Sequence, residues 1–274
     1  MSIFDNYIAV DWSANSSPKS GTDSIWIAWL SKTRNVQLFN PKTRMEALKL
    51  LKSCLKNSDG RVLVGFDFPF GYPKRFSDML GYSNWLDVWS NFSKFIKDFK
   101  DNKNNRFEAA GYLNSQFLAN GPFWGHPAPN NGRYGELPYK KPIGYGVYLP
   151  PEKRIIEQAI VKAKTVWQLN GAGCVGGQAL LGIPVLYDLK QSLSSSIWPF
   201  EKKMSKVVFA EIYPSIFPLE HSEIIKDASQ VKTVVNNFYN LDLHKKLEHL
   251  MSVPMYLNKE ILNYEGWILG AEYK

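Results

Sequence analysis

The sequence predicts an α/β fold, a mixed β-sheet with flanking helices and a large helical and loop insertion. Three observations carry this expectation. Short β-prone runs at residues 7–10, 25–30 and 35–39 succeed one another as an antiparallel meander would. A nearly continuous apolar run, RVLVGFD at 61–67, reads as a central strand covered on both faces. The stretches after residue 40 repeatedly place apolar side chains every three or four positions, the helical period.

The first strand ends in Asp11, and a polar loop, SANSSPKSGTD at 13–23, leads to the second. An acid at such a point caps a turn or holds a cation. The SKT link at 31–33 joins the second strand to the third. Pro41 and Lys42 then open a helix whose apolar face is Met45, Leu48, Leu51 and Leu55, and Asp59-Gly60 closes it. The strand at 61–67 ends in a second acid, Asp67, and runs straight into FPFGYP.

An insertion is expected over about 72–205 within a single domain spanning 1–274. Residues 84–100 carry a helical aromatic stripe, read as packing, and residues 106–118 form a second helix containing Glu108. Residues 120–149 have no periodicity and many Gly, Pro, Asn and aromatic residues, as lids and binding loops do. Within them Trp124 and Tyr134 either stack on bases or pin the loop, while His126, Arg133 and Lys140 are candidate phosphate or substrate contacts. A helix from Pro150 to about residue 164 and a short strand at 166–169 come next. The segment GAGCVGG at 171–177 matches G-x-G-x-x-G formally. It lies late in the chain, and the residues after it, Pro184 among them, read as helix and not as strand. Close glycine packing or a phosphate-facing loop fits it better than a dinucleotide fingerprint.

The last third returns to the sheet through KVVFAEIY at 206–213, which carries Glu211 inside an apolar strand. A buried acid there is costly unless paired, and reaching the same cation as Asp11 and Asp67 would supply the pairing. A helix over 224–239 buries Val231, Val234, Val235 and Phe238 and holds Asp227 in its first turn, where a negative charge is favoured. Helices at 241–251 and 257–264 precede EGWILG at 265–270, which is apolar enough to return to the core.

Composition bounds the partners. The chain has 274 residues, 45% of them hydrophobic, and a formal charge of +8 that favours polyanions such as nucleic acid. Its basic residues are dispersed in pairs, Lys140-Lys141 and Lys245-Lys246 among them, and a protein partner is also compatible. Cys54 and Cys174 make neither a disulfide framework nor a thiolate metal site, so a reducing, cytoplasmic setting is expected. No apolar run reaches membrane-spanning length, so no membrane partner is expected.

Strand-acid, hairpin, helix, strand-acid, insertion, strand-acid, helix-acid is the arrangement of ribonuclease H-like folds. The motifs VDWSA, GFDFPFGYP, GPFWG, WQLNGAGCVGG, QALLGIP, WPFE, AEIYPS, DASQV and EGWILG extend the likeness over nearly the whole chain. Together they resemble a poorly characterised bacterial family of predicted ribonuclease H-like nucleases. Some of its members carry the label of molybdopterin-guanine-dinucleotide or cobalamin biosynthesis proteins. The resemblance implies an acidic set of Asp11, Asp67, Glu211 and Asp227. The chain departs from the family pattern at Ala228, where members carry an acid, and at Cys174 and Gly177, where they carry serines.

The expected chemistry is phosphodiester hydrolysis of nucleic acid by one or two Mg²⁺ or Mn²⁺ ions held by those four carboxylates, with Ser13 at the rim. Two other readings are compatible with the same acids. One is an actin-like ATPase or phosphotransferase, in which the loop at 13–23 contacts ATP phosphates; against it, no second phosphate loop is evident. The other is a catalytically silent module that binds nucleic acid or protein.

Overall fold

A computed structural model describes residues 2–31, 33–118, 120–128, 132–160, 162–251 and 259–271. Six strands form one mixed sheet: β1 (Asn6–Asp11), β2 (Trp26–Leu30), β3 (Val36–Phe39), β4 (Val62–Phe66), β5 (Ser195–Trp198) and β6 (Val207–Glu211). Their order is β3-β2-β1-β4-β6-β5. The meander β1–β2–β3 is antiparallel, whereas β1, β4, β6 and β5 run parallel to one another. Strands β4 and β6 are buried along their whole length, as expected of central parallel strands covered on both faces.

Side-chain alternation divides the apolar residues into two cores. Ile8, Val10, Val64, Phe66 and Phe209 face one side and pack with helices α1 (Arg44–Asn57), α3 (Trp85–Phe95) and α6 (Gly176–Ser192). Tyr7, Ala9, Leu63, Val208, Ala210 and Ile212 face the other and pack with α7 (Lys226–Leu243). Side-chain caps set helix starts. The Thr43 hydroxyl accepts from the Glu46 amide at 3.1 Å, and the Glu46 carboxylate accepts from the Lys42 amide at 2.9 Å. The Asn84 side chain likewise accepts from the Leu86 amide at 2.8 Å to begin α3.

The remaining helices are α2 (Lys74–Leu80), α4 (Arg106–Asn114), α5 (Ile155–Ala159) and α8 (Lys246–Met251). Several boundaries correct the sequence reading. The buried face of α1 is Arg44, Ala47, Leu51, Cys54 and Leu55, and Met45 is exposed. The helix expected from Pro150 shrinks to α5, because Arg154 turns inward there to meet buried acids. The strand expected at 166–169 is one bridge, Trp124↔Gln168. Strand β5, with two serines in four residues, gives no apolar run and was not expected. Helix α7 extends to Leu243, so α8 starts later than the expected 241. Of the helix expected at 257–264, residues 257 and 258 lie outside the described residues, and Ile261–Glu265 forms a single π-type turn. Trp267, Ile268 and Leu269 do return to the core, with Ile268 bridging Glu211. Among the described residues no helix is long and apolar enough to cross a membrane.

Candidate active site

The site begins with the register of two parallel strands. Val10 pairs with Phe66, so the next residues, Asp11 and Asp67, stand side by side at the carboxyl ends of β1 and β4. The Asp67 amide donates to the Val10 carbonyl at 3.2 Å, and the Trp12 amide donates to one Asp67 oxygen at 2.8 Å. Alternation turns both carboxyls to the side on which α7 packs. The first turn of α7 supplies Asp227, whose carboxylate accepts from the Asp23 amide at 2.7 Å. Asp11, Asp67 and Asp227 are therefore brought together, from positions 56 and 160 residues apart (67 − 11 and 227 − 67).

Their electrostatics reflect this proximity. Burial raises the Asp11 carboxyl well above the usual range, and the charges of Asp67, Asp227 and Asp23 and a hydrogen bond with Asp67 add to the rise. Burial likewise pushes Asp67 up to about 6, opposed by the Trp12 amide and the Asp11 hydrogen bond. The charged groups that act most strongly on Asp11 are all acids. In the absence of a cation, ionisation of both carboxyls together is disfavoured.

Above Asp11 and Asp227 lies an open cleft of about 480 Å³. Its walls include Ser13, Asn15 and Ser16 from the loop after β1, Gly171 and Cys174 from the glycine-rich segment, and Arg106 from the start of α4. The loop after β1 therefore contributes Ser13, Asn15 and Ser16 to the lining of the cleft.

Glu211 does not join the cluster, and this corrects the four-carboxylate expectation. It pairs in register with Phe66, one residue short of Asp67, so the residue level with Asp67 is Ile212. A one-residue offset in a strand turns a side chain to the opposite face. Glu211 instead takes Arg154 in a two-pronged buried ion pair at 2.6 and 2.8 Å and accepts from the Phe70 amide at 2.9 Å. Glu157 holds the same guanidinium at 2.8 Å.

The other expected contacts also lie elsewhere. Trp124 is half-buried and pinned by backbone bonds to Trp167 and Leu169, so it anchors its loop and offers no stacking face in the cleft. His126 is 6% exposed, with its Nδ1 at 2.9 Å from the Pro127 carbonyl and its ring between Tyr134 and Tyr139. Arg133 is exposed and pairs with Glu108 at 3.1 Å, and Lys140 is an exposed surface residue. None of the four lines the cleft.

The glycine-rich segment serves packing and shape. A Cβ on Gly176 would lie 2.3 Å from the Val166 carbonyl oxygen and 2.5 Å from that of Gln168, so only glycine fits at the start of α6. Gly176→Ala is expected to destabilise the fold by about 1–3 kcal/mol, measured by urea unfolding. An unchanged unfolding midpoint would show that this contact relaxes without cost.

Arg106 is the residue that sequence reasoning missed. It is 8% exposed, and its Nη1 donates to Ser16 Oγ and Asn104 Oδ1, each at 2.9 Å. Burial, with Arg44 nearby, lowers its guanidinium to about 10. An arginine at the start of a helix carries no signal of this in one dimension.

Asp11 and Asp67 present oxygen donors of the type that hard divalent cations take. The carboxyls of Asp11 and Asp67 are adjacent and acted on by further acids, and Asp11 lines a polar cleft. Among the described residues, no group of three or more His, Cys, Asp or Glu is placed to hold a metal ion, so any cation would rest on the Asp11–Asp67 pair. Magnesium-like ions accept one or two carboxylates and leave their other positions to water and substrate phosphates, so an open set of this kind suits them. No family model matches the chain, and neither the curated proteins nor the solved structures yield a match.

Proposed function

We propose that this chain is a metal-dependent nuclease of ribonuclease H-like fold that hydrolyses phosphodiester bonds in nucleic acid. The observation that carries the reading is the Asp11–Asp67 pair at the ends of adjacent parallel strands, with Asp227 brought over it by α7. An antiparallel meander running into parallel β4 and β6, with the acids at the carboxyl ends, supports the fold assignment. Ligands of open α/β sheets bind beyond that edge. The surplus of basic side chains, +8 overall, supports a polyanionic substrate.

One or two bound Mg²⁺ or Mn²⁺ ions would supply Lewis acidity and a water activated at neutral pH. The chain's own residues do the rest. Asp11 and Asp67 provide hard oxygen ligands from a rigid sheet edge. The Trp12 amide fixes one Asp67 oxygen, and the Asp23 amide fixes one of Asp227, so both acids are oriented before any ligand arrives. Ser13 and Asn15 line the rim where a substrate oxygen would be oriented. Glu211 takes no part.

The test is a panel of end-labelled single- and double-stranded DNA and RNA, incubated with the full chain in Mn²⁺, in Mg²⁺ and in EDTA. Cleavage is expected with the metals and not in EDTA, with binding that weakens as salt rises. Failure to cut any member of the panel in either metal, with no measurable Mn²⁺ binding by calorimetry, would overturn the reading.

A further inference from the structure

Three arginines are buried in this chain, and they differ in one respect. Arg44 is bound by Asp98 at 2.6 and 2.7 Å. Arg154 is bound by Glu157 and Glu211. Arg106 has only neutral partners, Ser16 and Asn104, and its Nε is buried with no hydrogen-bond partner. Among the described residues no carboxylate lies within ion-pair distance of it; the nearby Glu108 is held by Arg133. Of the other ionisable groups that act on it, Arg44 is a cation, Tyr134 is a phenol, and Cys174 has its thiol pushed up by burial. A desolvated guanidinium without a counter-charge is costly, and an unused buried donor adds to the cost.

That guanidinium lines the same cleft as Asp11 and Asp227. It lies over the Phe107 ring, 4.2 Å from the centroid, which holds its plane. Gly177, in the first turn of α6, lies so close that an added Cβ would be 3.4 Å from Nε. The lining of this cleft thus includes a fixed, positively charged fork with spare donors, beside the start of a 17-residue helix. Guanidinium forks match phosphate oxygens, and helix N-termini favour anions.

We propose that Arg106 is the anion receptor of the cleft, binding a phosphoryl group of the substrate in the same cleft as Asp11 and Asp227. This deepens the nuclease reading by naming which group holds the substrate phosphate, but binding at Arg106 does not require that reading. The cleft is then lined by groups of opposite charge. A phosphoester would bridge them, with one oxygen toward the acids and another on the arginine.

The experiment reads binding in EDTA, apart from catalysis. Cys174 lines the cleft and Cys54 is buried, so the rate of Cys174 alkylation by iodoacetamide reports occupancy in the wild-type chain. Pyrophosphate, a nucleoside diphosphate and a dinucleoside monophosphate are the probes, with potassium chloride at matched ionic strength as control. Slowing of alkylation by any phosphate probe and not by chloride is expected. Protection by the dinucleoside monophosphate assigns an internal diester to Arg106, and protection by the other two alone assigns a terminal phosphate. Arg106→Lys, which keeps the charge and loses the fork, is expected to weaken the protecting probe about tenfold. Equal alkylation with every probe and with chloride would overturn the proposal, whether or not Arg106→Lys folds. So would protection undiminished in a folded Arg106→Lys. Phosphate protection without cleavage of any nucleic acid would retain the receptor and remove the nuclease reading. Metal-dependent cleavage without phosphate protection would do the reverse.

Discussion

Asp11→Asn is expected to abolish Mn²⁺-dependent cleavage while making the metal-free protein more stable at neutral pH. The two effects share one cause. Asp11 and Asp67 are pressed together in a half-buried site, and the carboxyls of both are raised, Asp67 to about 6 and Asp11 well above its usual range. A carboxyl raised in the folded state binds its proton more tightly there than in the unfolded chain. Its stabilising contribution is full below pH about 4, the unfolded value, and is lost as pH rises through the folded value. Above pH 6 the wild-type pair is therefore a liability that an amide removes. The gain at pH 7.5 in EDTA is on the order of 1–3 kcal/mol. An amide is also a poor ligand for a hard cation, so the rate should fall by at least ~10²-fold. Mn²⁺ should raise the melting temperature of wild type but not of Asp11→Asn. Denaturation across pH 4–8 with and without Mn²⁺ decides the matter. Parallel stability profiles for the two proteins, or equal cleavage rates, would refute the role given to the pair.

Arg154→Met should produce the largest loss of stability in the molecule, about 3–5 kcal/mol, because it strands buried carboxylates. Arg154 is 1% exposed and Glu157 and Glu211 are each 2% exposed. The guanidinium also donates to the Glu265 carbonyl at 2.8 Å, tying α5 and β6 to the turn Ile261–Glu265. Adding Glu211→Gln to Arg154→Met removes one stranded charge and should recover part of the loss, a coupling of about 0.5–3 kcal/mol in a double-mutant cycle. Urea unfolding of the two single variants and the double variant measures it. Strict additivity would mean that Glu211 and Arg154 do not act as a pair. Glu211 would then have to be reconsidered as a ligand.

Much of the sheet was legible because its strands carry their own periodicity. The runs ending at Asp11 and Asp67 are apolar, short and bounded by turn residues, and both acids were identifiable as strand ends. Asp227 was legible as a first-turn acid. Strand β5 was not, since Ser195 and Ser196 become strand only by pairing with Val207 and Val208. The aromatic segment at 120–149 looked like a binding loop because it lacks periodicity. Burial of His126 and anchoring of Trp124 are properties of what surrounds them.

The sequence by itself determined the α/β class, the meander, the carboxyl-terminal acids and the basic surplus, because each rests on local pattern or composition. Only the tertiary structure decided which acids meet. The pairing of Glu211 with Phe66 instead of Asp67 is a matter of one residue, and the alternation of a strand converts that residue into a change of face. The same long-range packing left Arg106 buried without a carboxylate and placed it in the lining of the same cleft as Asp11.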